Sequence, residues 1–453
     1  MSVVGFSQFH RRRIAAVGLA LAGVLACTRQ PQPITAAAAD RAVTERDRKT
    51  DTAVSEPPAC RIDAEIAAAV RLRGLPVLAP IRCQILDREA MVERAMATAL
   101  RETPKEMLDA QVQWLILLGL APDGFEMMAA VGSLLDEQLA GFYDPQQDVL
   151  FVTADTADRM TLVHEVVHAL QDQHFDLGKR MREAKTSDAL SSLQILAEGD
   201  ATSAMLEIPR DHGASSAAAA AAFNNVGAFM AEATPTQVPV PAVLKRSLIA
   251  PYLDGFSLVE GLRAEGDWAA VNRLWAESPT TSAQLLSEAP LLWGNSVKQS
   301  TRSLPPVPPW RPSVAPLYDD VTGEQGVRVL FEEWLSRSSA AEAARGWLDD
   351  RVTVWTEQGT SALLWHMRWA SDRDTQQAMQ AFAKGYFRDQ IANLTTSVRT
   401  PKTLSRGCES GTGHPLALAT RGHDIVLVAQ SRSAGSSGKT CEQLAQWAES
   451  ALR

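Results

Sequence analysis

No uninterrupted apolar run in this chain reaches the ~18 residues that a membrane-spanning helix needs, which excludes a polytopic membrane protein. Basic residues are in the minority. The 44 Lys and Arg stand against 53 Asp and Glu, a net charge of −9. Outside the N-terminus they form no cluster dense enough for a phosphate footprint, so nucleic-acid binding is excluded as the main task. The same shortage argues against charged membrane-surface binding through the folded body. Cysteine is scarce, five in 453 residues, and none has the C-x-x-C spacing of a zinc knuckle. Residues 1–39 contain no Asp or Glu. What remains is globular: 46% apolar residues is too many for a disordered chain. At about 150 residues per domain, two or three domains are expected.

The acid-free N-terminus reads as an address. Arg11, Arg12 and Arg13 precede an apolar stretch from Ile14 to Ala26, a charged n-region before a short h-region. The stretch ends Val24-Leu25-Ala26-Cys27, which resembles a bacterial lipoprotein box. The resemblance implies that residues 1–27 are a lipoprotein-type signal and that Cys27 becomes the lipidated first residue of the mature chain. The protein would then be exported and anchored to the membrane of the cell envelope, facing the periplasm or the cell surface. The plainer alternative is an ordinary cleaved signal with an incidental cysteine. With Cys27 lipidated, Cys60, Cys83, Cys408 and Cys441 remain. In an oxidising compartment Cys60–Cys83 and Cys408–Cys441 are the simplest of three connectivities.

Composition divides the rest. Residues 28–58, rich in Ala, Thr, Pro, Gln and charge without periodicity, read as a disordered tether. Helical patterns begin near Ala59, at Ile62, Ile66, Val70 and Leu72, then over Met91–Leu100 and Met107–Leu120. The Ala-rich stretch Gly213–Phe223 reads as a helix or a mobile loop. Five prolines among residues 304–312 exclude a helix interior or a central strand, and the main boundary is placed there. Residues 59–303 are thus the first folded unit, 304–313 a Pro-rich linker, and 314–453 a smaller mixed α/β domain without a legible role. In that domain Gly326–Arg337 and Asp374–Tyr386 read as amphipathic helices. Arg351–Thr356, Ser361–Trp369 and Asp424–Ala429 read as strands.

The chemistry is carried by the run Leu162-Val163-His164-Glu165-Val166-Val167-His168-Ala169-Leu170-Gln171-Asp172-Gln173-His174. His164 and His168 are four apart, so a helix puts both imidazoles on one face, able to share a metal ion. Glu165 can then reach a metal-bound water as general base without being a ligand. Zinc suits two imidazoles, a carboxylate and an open fourth position. Leu162, Val163, Val166, Val167 and Leu170 give the helix a broad apolar face. The plain alternative is a buried helix with two hydrogen-bonded core histidines. Two residues compete as third ligand. His174 has the spacing of a metzincin-type motif, but Gln171 stands where that motif needs a chain-turning Gly, and an unbroken helix points His174 away. Glu198, in Ala197-Glu198-Gly199-Asp200, lies on a second apolar-patterned segment able to pack beside the first. Asp200 and Asp172 are candidates to hold the second nitrogen of a ligand histidine. Upstream, residues 141–152 read as strand, turn and strand, with Asp148–Thr153 the candidate sheet edge for an extended peptide.

These features resemble a family of exported zincin-like proteins of the gluzincin, or peptidase-MA, type. The resemblance rests on Gly-Phe-Tyr-Asp-Pro at 141–145, the His-Glu-Val-Val-His run at 164–168 with its continuation to Phe175, and Glu-Gly-Asp-Ala at 198–201. Pro251-Tyr252-Leu253-Asp254-Gly255, Gly266-Asp267-Trp268 and Pro279-Thr280-Thr281-Ser282 extend it, so that it covers roughly residues 135–290. It implies an α+β zincin-like fold, with a twisted sheet beside an active-site helix and a mainly helical lower half. It also implies zinc on His164, His168 and Glu198, which favours Glu198 over His174. The family's common acid four residues beyond the ligand Glu is Thr202 here. Its His-Pro pair is replaced by Ser287-Glu288.

The expected function is zinc-dependent hydrolysis of peptide bonds outside the cytoplasm, with a peptide or protein as substrate and Glu165 as general base. Tyr252, Tyr143 and His212 are candidate oxyanion donors. Two other readings compete. One is a lipid-anchored, catalytically inactive binding or scaffold protein on the same fold. The other is a zymogen in which residues 59–130 cover the cleft and Cys60 or Cys83 caps the zinc, an option that a disulfide between them removes.

Overall fold

The computed structural model describes residues 26–28, 60–103, 105–153, 158–208, 238–287, 304, 307–387, 402–406, 413–431 and 440–453. The signal up to residue 25, the tether from 29 and the Ala-rich stretch therefore lie outside the described residues, as do His212, Glu288 and Cys408. The fold is α+β, with two sheets. Among the described residues no helix is long and apolar enough to cross a membrane.

The first sheet has the order β1-β3-β4-β2, made of Ala26–Thr28 (β1), Arg82–Leu86 (β2), Leu139–Asp144 (β3) and Val149–Thr153 (β4). β3 and β4 form the expected antiparallel hairpin. Its turn is closed by Asp144, whose Oδ1 accepts from the Gln146 amide at 2.9 Å, and by Asp148, which takes a left-handed conformation at φ 52°. β4 is Val-Leu-Phe-Val-Thr and buried throughout, the pattern of an interior strand. It pairs on its other side with β2, in parallel. The expectation that residues 148–153 form a sheet edge is therefore corrected. Among the described residues, the outer side of β3 carries the three-residue β1, paired antiparallel.

The helices of this half are α1 (Asp63–Arg73), α2 (Arg88–Glu102), α3 (Lys105–Leu117), α4 (Met127–Gln138), α5 (Arg159–Phe175), α6 (Leu177–Glu183), α7 (Ser187–Met205), α8 (Ala242–Glu277) and α9 (Ser282–Leu286). α5 begins where the Asp158 side chain accepts from the Thr161 amide, and it ends at Asp176 in the left-handed region. Its face of Val163, Val166, Val167 and Leu170 is fully buried against Ala68, Ala69 and Leu72 of α1 and Leu150 and Val152 of β4. Four such side chains contribute on the order of 6–12 kcal/mol by burial alone. α7 starts at a Thr186 cap and is buried along nearly its whole length. It crosses α8 where Gly199 meets Gly255 backbone to backbone. α8 breaks its helical geometry at Gly266 and Asp267, the second at φ 53°. Cys60 and Cys83 are joined, with Cα atoms 5.3 Å apart, tying the start of α1 to β2. Both thiols are consumed, so neither serves as a zinc cap. Cys441 is also disulfide-bonded.

The second sheet is wholly antiparallel, in the order β5-β6-β7-β10-β9-β8. Its strands are Tyr318–Asp320, Trp347–Glu357, Thr360–Trp369, Lys402–Arg406, Leu416–Arg421 and Asp424–Gln430. The three strands expected from sequence fall within β6, β7 and β10. Its helices are α10 (Gly323–Phe331), α11 (Arg337–Ala344), α12 (Asp372–Tyr386) and α13 (Cys441–Ser450). The first of the two expected helices ends six residues early, because Glu332–Trp334 leave it as a turn. The halves share one core: Leu117, Ile195 and Trp275 of the first belong with Phe331, Trp365 and Phe382 of the second. Trp114 meets Trp365 edge-on at 5.9 Å. The Pro-rich segment is docked rather than free. Trp310 is buried and donates to Gln430 Oε1 at 3.1 Å, and Trp447 donates to the Pro308 carbonyl at 3.2 Å.

Candidate metal centre

α5 carries His164 and His168 one turn apart, and α7 packs across it with Glu198. The two imidazoles converge through Nε2, 3.0 Å apart. Glu198 Oε2 lies 3.1 Å from His164 Nε2 and 3.5 Å from His168 Nε2. All three ligand atoms fall within 4.8 Å of one another, the one such group among the described residues. Both histidines are fully buried, and Glu198 is 3% exposed. Each of the three atoms is of a type that zinc accepts, so the group could hold a divalent ion.

The charges fit as well. Burial opposes the charge of Glu198, yet His168 and His164 beside it hold its carboxyl down at about 2. Burial lowers His164 below the usual imidazole value. Burial also works against charge on His168, but Glu198 overrides it and raises the imidazole to about 9. Without metal the cluster thus carries a carboxylate, a charged His168 and a neutral His164, with one proton held where a cation would be ligated.

Glu165 is fully buried, and its Oε2 accepts from the Tyr143 backbone amide at 2.9 Å. The hairpin strand β3 therefore fixes the carboxylate that the sequence assigns as base. The Tyr252 ring lies nearly parallel to His164, centroids 5.9 Å apart. The Tyr143 hydroxyl points elsewhere, donating to Asp172 at 3.1 Å, so it is not an oxyanion donor here.

The outer contacts differ from the sequence expectation. Asp200 holds no imidazole. It accepts from Arg73 Nε, from Arg73 Nη2 at 3.0 Å and from Trp275 Nε1 at 2.8 Å. Asp172 accepts from the Gly178 amide at 2.7 Å and from Tyr143, at the far end of the helix. The partner of a ligand histidine is instead Gln171, whose Oε1 accepts from His168 Nδ1 at 2.9 Å. Gln171 Nε2 donates to the Ala197 carbonyl, 3.0 Å away and one residue before Glu198. His164 Nδ1 and Thr202 Oγ1 are buried without a hydrogen-bond partner. His174 bonds the Pro76 carbonyl at 2.7 Å, on the surface, because α5 runs unbroken through Gln171.

Sequence reasoning missed Gln171, Arg73 and the Tyr143 amide. Gln171 left a faint signal, a polar residue three places past His168 on the helix face that carries both histidines. Arg73 left none, since it lies 127 residues from Asp200.

The family described as a domain of unknown function (DUF8575) matches residues 315–437, which covers the second sheet with α10, α11 and α12 rather than the metal centre. No curated protein and no solved structure matches the chain.

Proposed function

We propose that this protein is a zinc-dependent metallopeptidase of the zincin type, hydrolysing peptide bonds outside the cytoplasm. The observation that carries the reading is the convergence of His164 Nε2, His168 Nε2 and Glu198 Oε2, with Glu165 on the same helix turn held by a strand amide. His164, His168 and Glu198 would hold a zinc ion, which would supply Lewis acidity. Glu165 would act as general base, accepting a proton from the water that adds to the scissile carbonyl and giving it to the amine that leaves as the C–N bond breaks. The Tyr143 amide fixes the carboxylate so that it need not reorganise during the transfer. Burial keeps bulk water from competing and strengthens each charge interaction.

The substrate is a peptide in extended form, added to the outer side of β3. Strand addition there is supported by β1, which pairs antiparallel with Leu139, Gly141 and Phe142 in the uncleaved chain and loses Ala26 if Cys27 becomes the mature N-terminus. Export and attachment through a lipid on Cys27 are part of the same proposal. The Cys60–Cys83 bond supports an oxidising compartment. The test is Glu165→Gln. The variant should bind zinc as the wild type does and lose peptide hydrolysis by at least 100-fold. Hydrolysis at the wild-type rate rules out Glu165 as base. A wild-type protein that binds zinc but cleaves no peptide in a broad screen supports the inactive scaffold instead.

A further inference from the structure

The residue that completes the centre is a neutral amide. We infer that Gln171 is a positioning residue that fixes the tautomer of His168 and locks the ligand-bearing turns of α5 and α7 together. This rests on the metal site proposed above. The hydrogen bonds leave little freedom in the assignment. The Ala197 carbonyl can only accept, so the Gln171 NH2 must face it. The Gln171 oxygen is thereby turned to His168 Nδ1, which must carry the proton. In the neutral ring the lone pair is then on Nε2, the nitrogen that faces His164 and Glu198. A flipped amide would set oxygen against the Ala197 carbonyl oxygen and lose that bond, keeping only a contact in which NH2 donates to an unprotonated Nδ1.

The same side chain spans the two ligand helices. His168 and Gln171 are three apart on α5, within one turn. Ala197 precedes Glu198 on α7, so the amide anchors the turn that carries the carboxylate ligand. Gln171 is fully buried, which makes both of its bonds costly to lose. The two histidines are unequally supported: His168 Nδ1 has this partner, while His164 Nδ1 has no hydrogen-bond partner. An outer partner of a metal histidine typically governs affinity by 10–100-fold.

The test compares the purified full chain with Gln171→Met, which keeps the volume and removes both bonds, and Gln171→Glu, which keeps the acceptor for Nδ1. Zinc affinity is read by competition with a chromogenic chelator, and metal-free Tm alongside it. The expectation is a 10–100-fold weaker affinity in Gln171→Met with a lowered metal-free Tm, and an affinity between that variant and wild type in Gln171→Glu, which keeps the bond to Nδ1 but loses the one to the Ala197 carbonyl. Wild-type affinity in Gln171→Met overturns the inference, as does Gln171→Glu falling as far as Gln171→Met. If Gln171→Met does not fold, nitrogen-15 NMR of zinc-loaded wild type decides. A proton on His168 Nδ1 with zinc at Nε2 supports the inference, and the reverse tautomer overturns it. A wild-type protein that binds no zinc defeats the metallopeptidase reading itself, a separate result.

Discussion

Gly255→Ala tests the packing that delivers the third ligand. A methyl at residue 255 would lie 2.7 Å from Gly199 N and 2.8 Å from Gly199 Cα, and would press on the Ile195 carbonyl. Atoms in contact prefer roughly 3.5–4.0 Å, so α7 must retreat by about 1 Å. Every clashing atom is backbone, and no side chain can swing aside. Gly255 sits in a helix with an ordinary φ, where Ala would otherwise gain up to about 1 kcal/mol in propensity. Overpacking costs about 1–3 kcal/mol and more where backbone must move, so the net sign is destabilising. The same retreat draws Glu198, adjacent to Gly199, away from imidazoles that it now meets at 3.1 and 3.5 Å. Urea denaturation of the metal-free protein, with a zinc titration beside it, should show a lower midpoint and weaker zinc binding. A midpoint at or above wild type with unchanged zinc affinity would refute the close crossing as the reason for glycine here.

Arg73→Met leaves Asp200 buried without its guanidinium partner, and unpairing a buried ion pair typically costs about 3–5 kcal/mol. Denaturation of the metal-free variant checks this, and a loss under 1 kcal/mol would show that the pair is not structural. The pH dependence of the metal-free protein follows from His168. Its folded value of about 9 lies above its ordinary 6.5, so the pairing with Glu198 is fully felt below 6.5 and is lost as pH rises towards 9. Asp188, pushed up to about 7 by burial, acts in the same direction from about pH 4 to 7. Tm measured without metal should therefore fall between pH 6.5 and 9, and a rise across that window contradicts the assigned charges. Because metal binding displaces the His168 proton, calorimetry near pH 7 should detect about one proton released per zinc, from the buffer dependence of the heat.

How much of this was legible in the sequence depends on the distance over which each feature acts. His164, Glu165 and His168 were readable because helical spacing alone puts them together. The hairpin before them was readable from its turn residues. Glu198 required a second helix to dock, and the apolar residues flanking it gave the hint. Gly199 serves the crossing with Gly255, whereas Asp200 serves Arg73 and Trp275 rather than a histidine. That division was invisible, because an acid close in sequence to a ligand looks the same in either role. The edge-strand expectation failed for a similar reason. Val149–Thr153 is apolar enough for an interior strand, but the strand that covers it, β2, lies more than sixty residues upstream and pairs in parallel. The shared core between the two halves was equally hidden, since five prolines signal irregular backbone and not separation. Trp310 within that run is anchored to Gln430, 120 residues away.

The central claim is that His164, His168 and Glu198 hold one metal ion. Elemental analysis of the purified protein after growth with zinc tests it directly, beside His164→Ala, Glu198→Ala and His174→Ala. The account predicts about one zinc per chain in wild type and His174→Ala, and none in the other two. Zinc retained by Glu198→Ala, or absent from wild type, contradicts it.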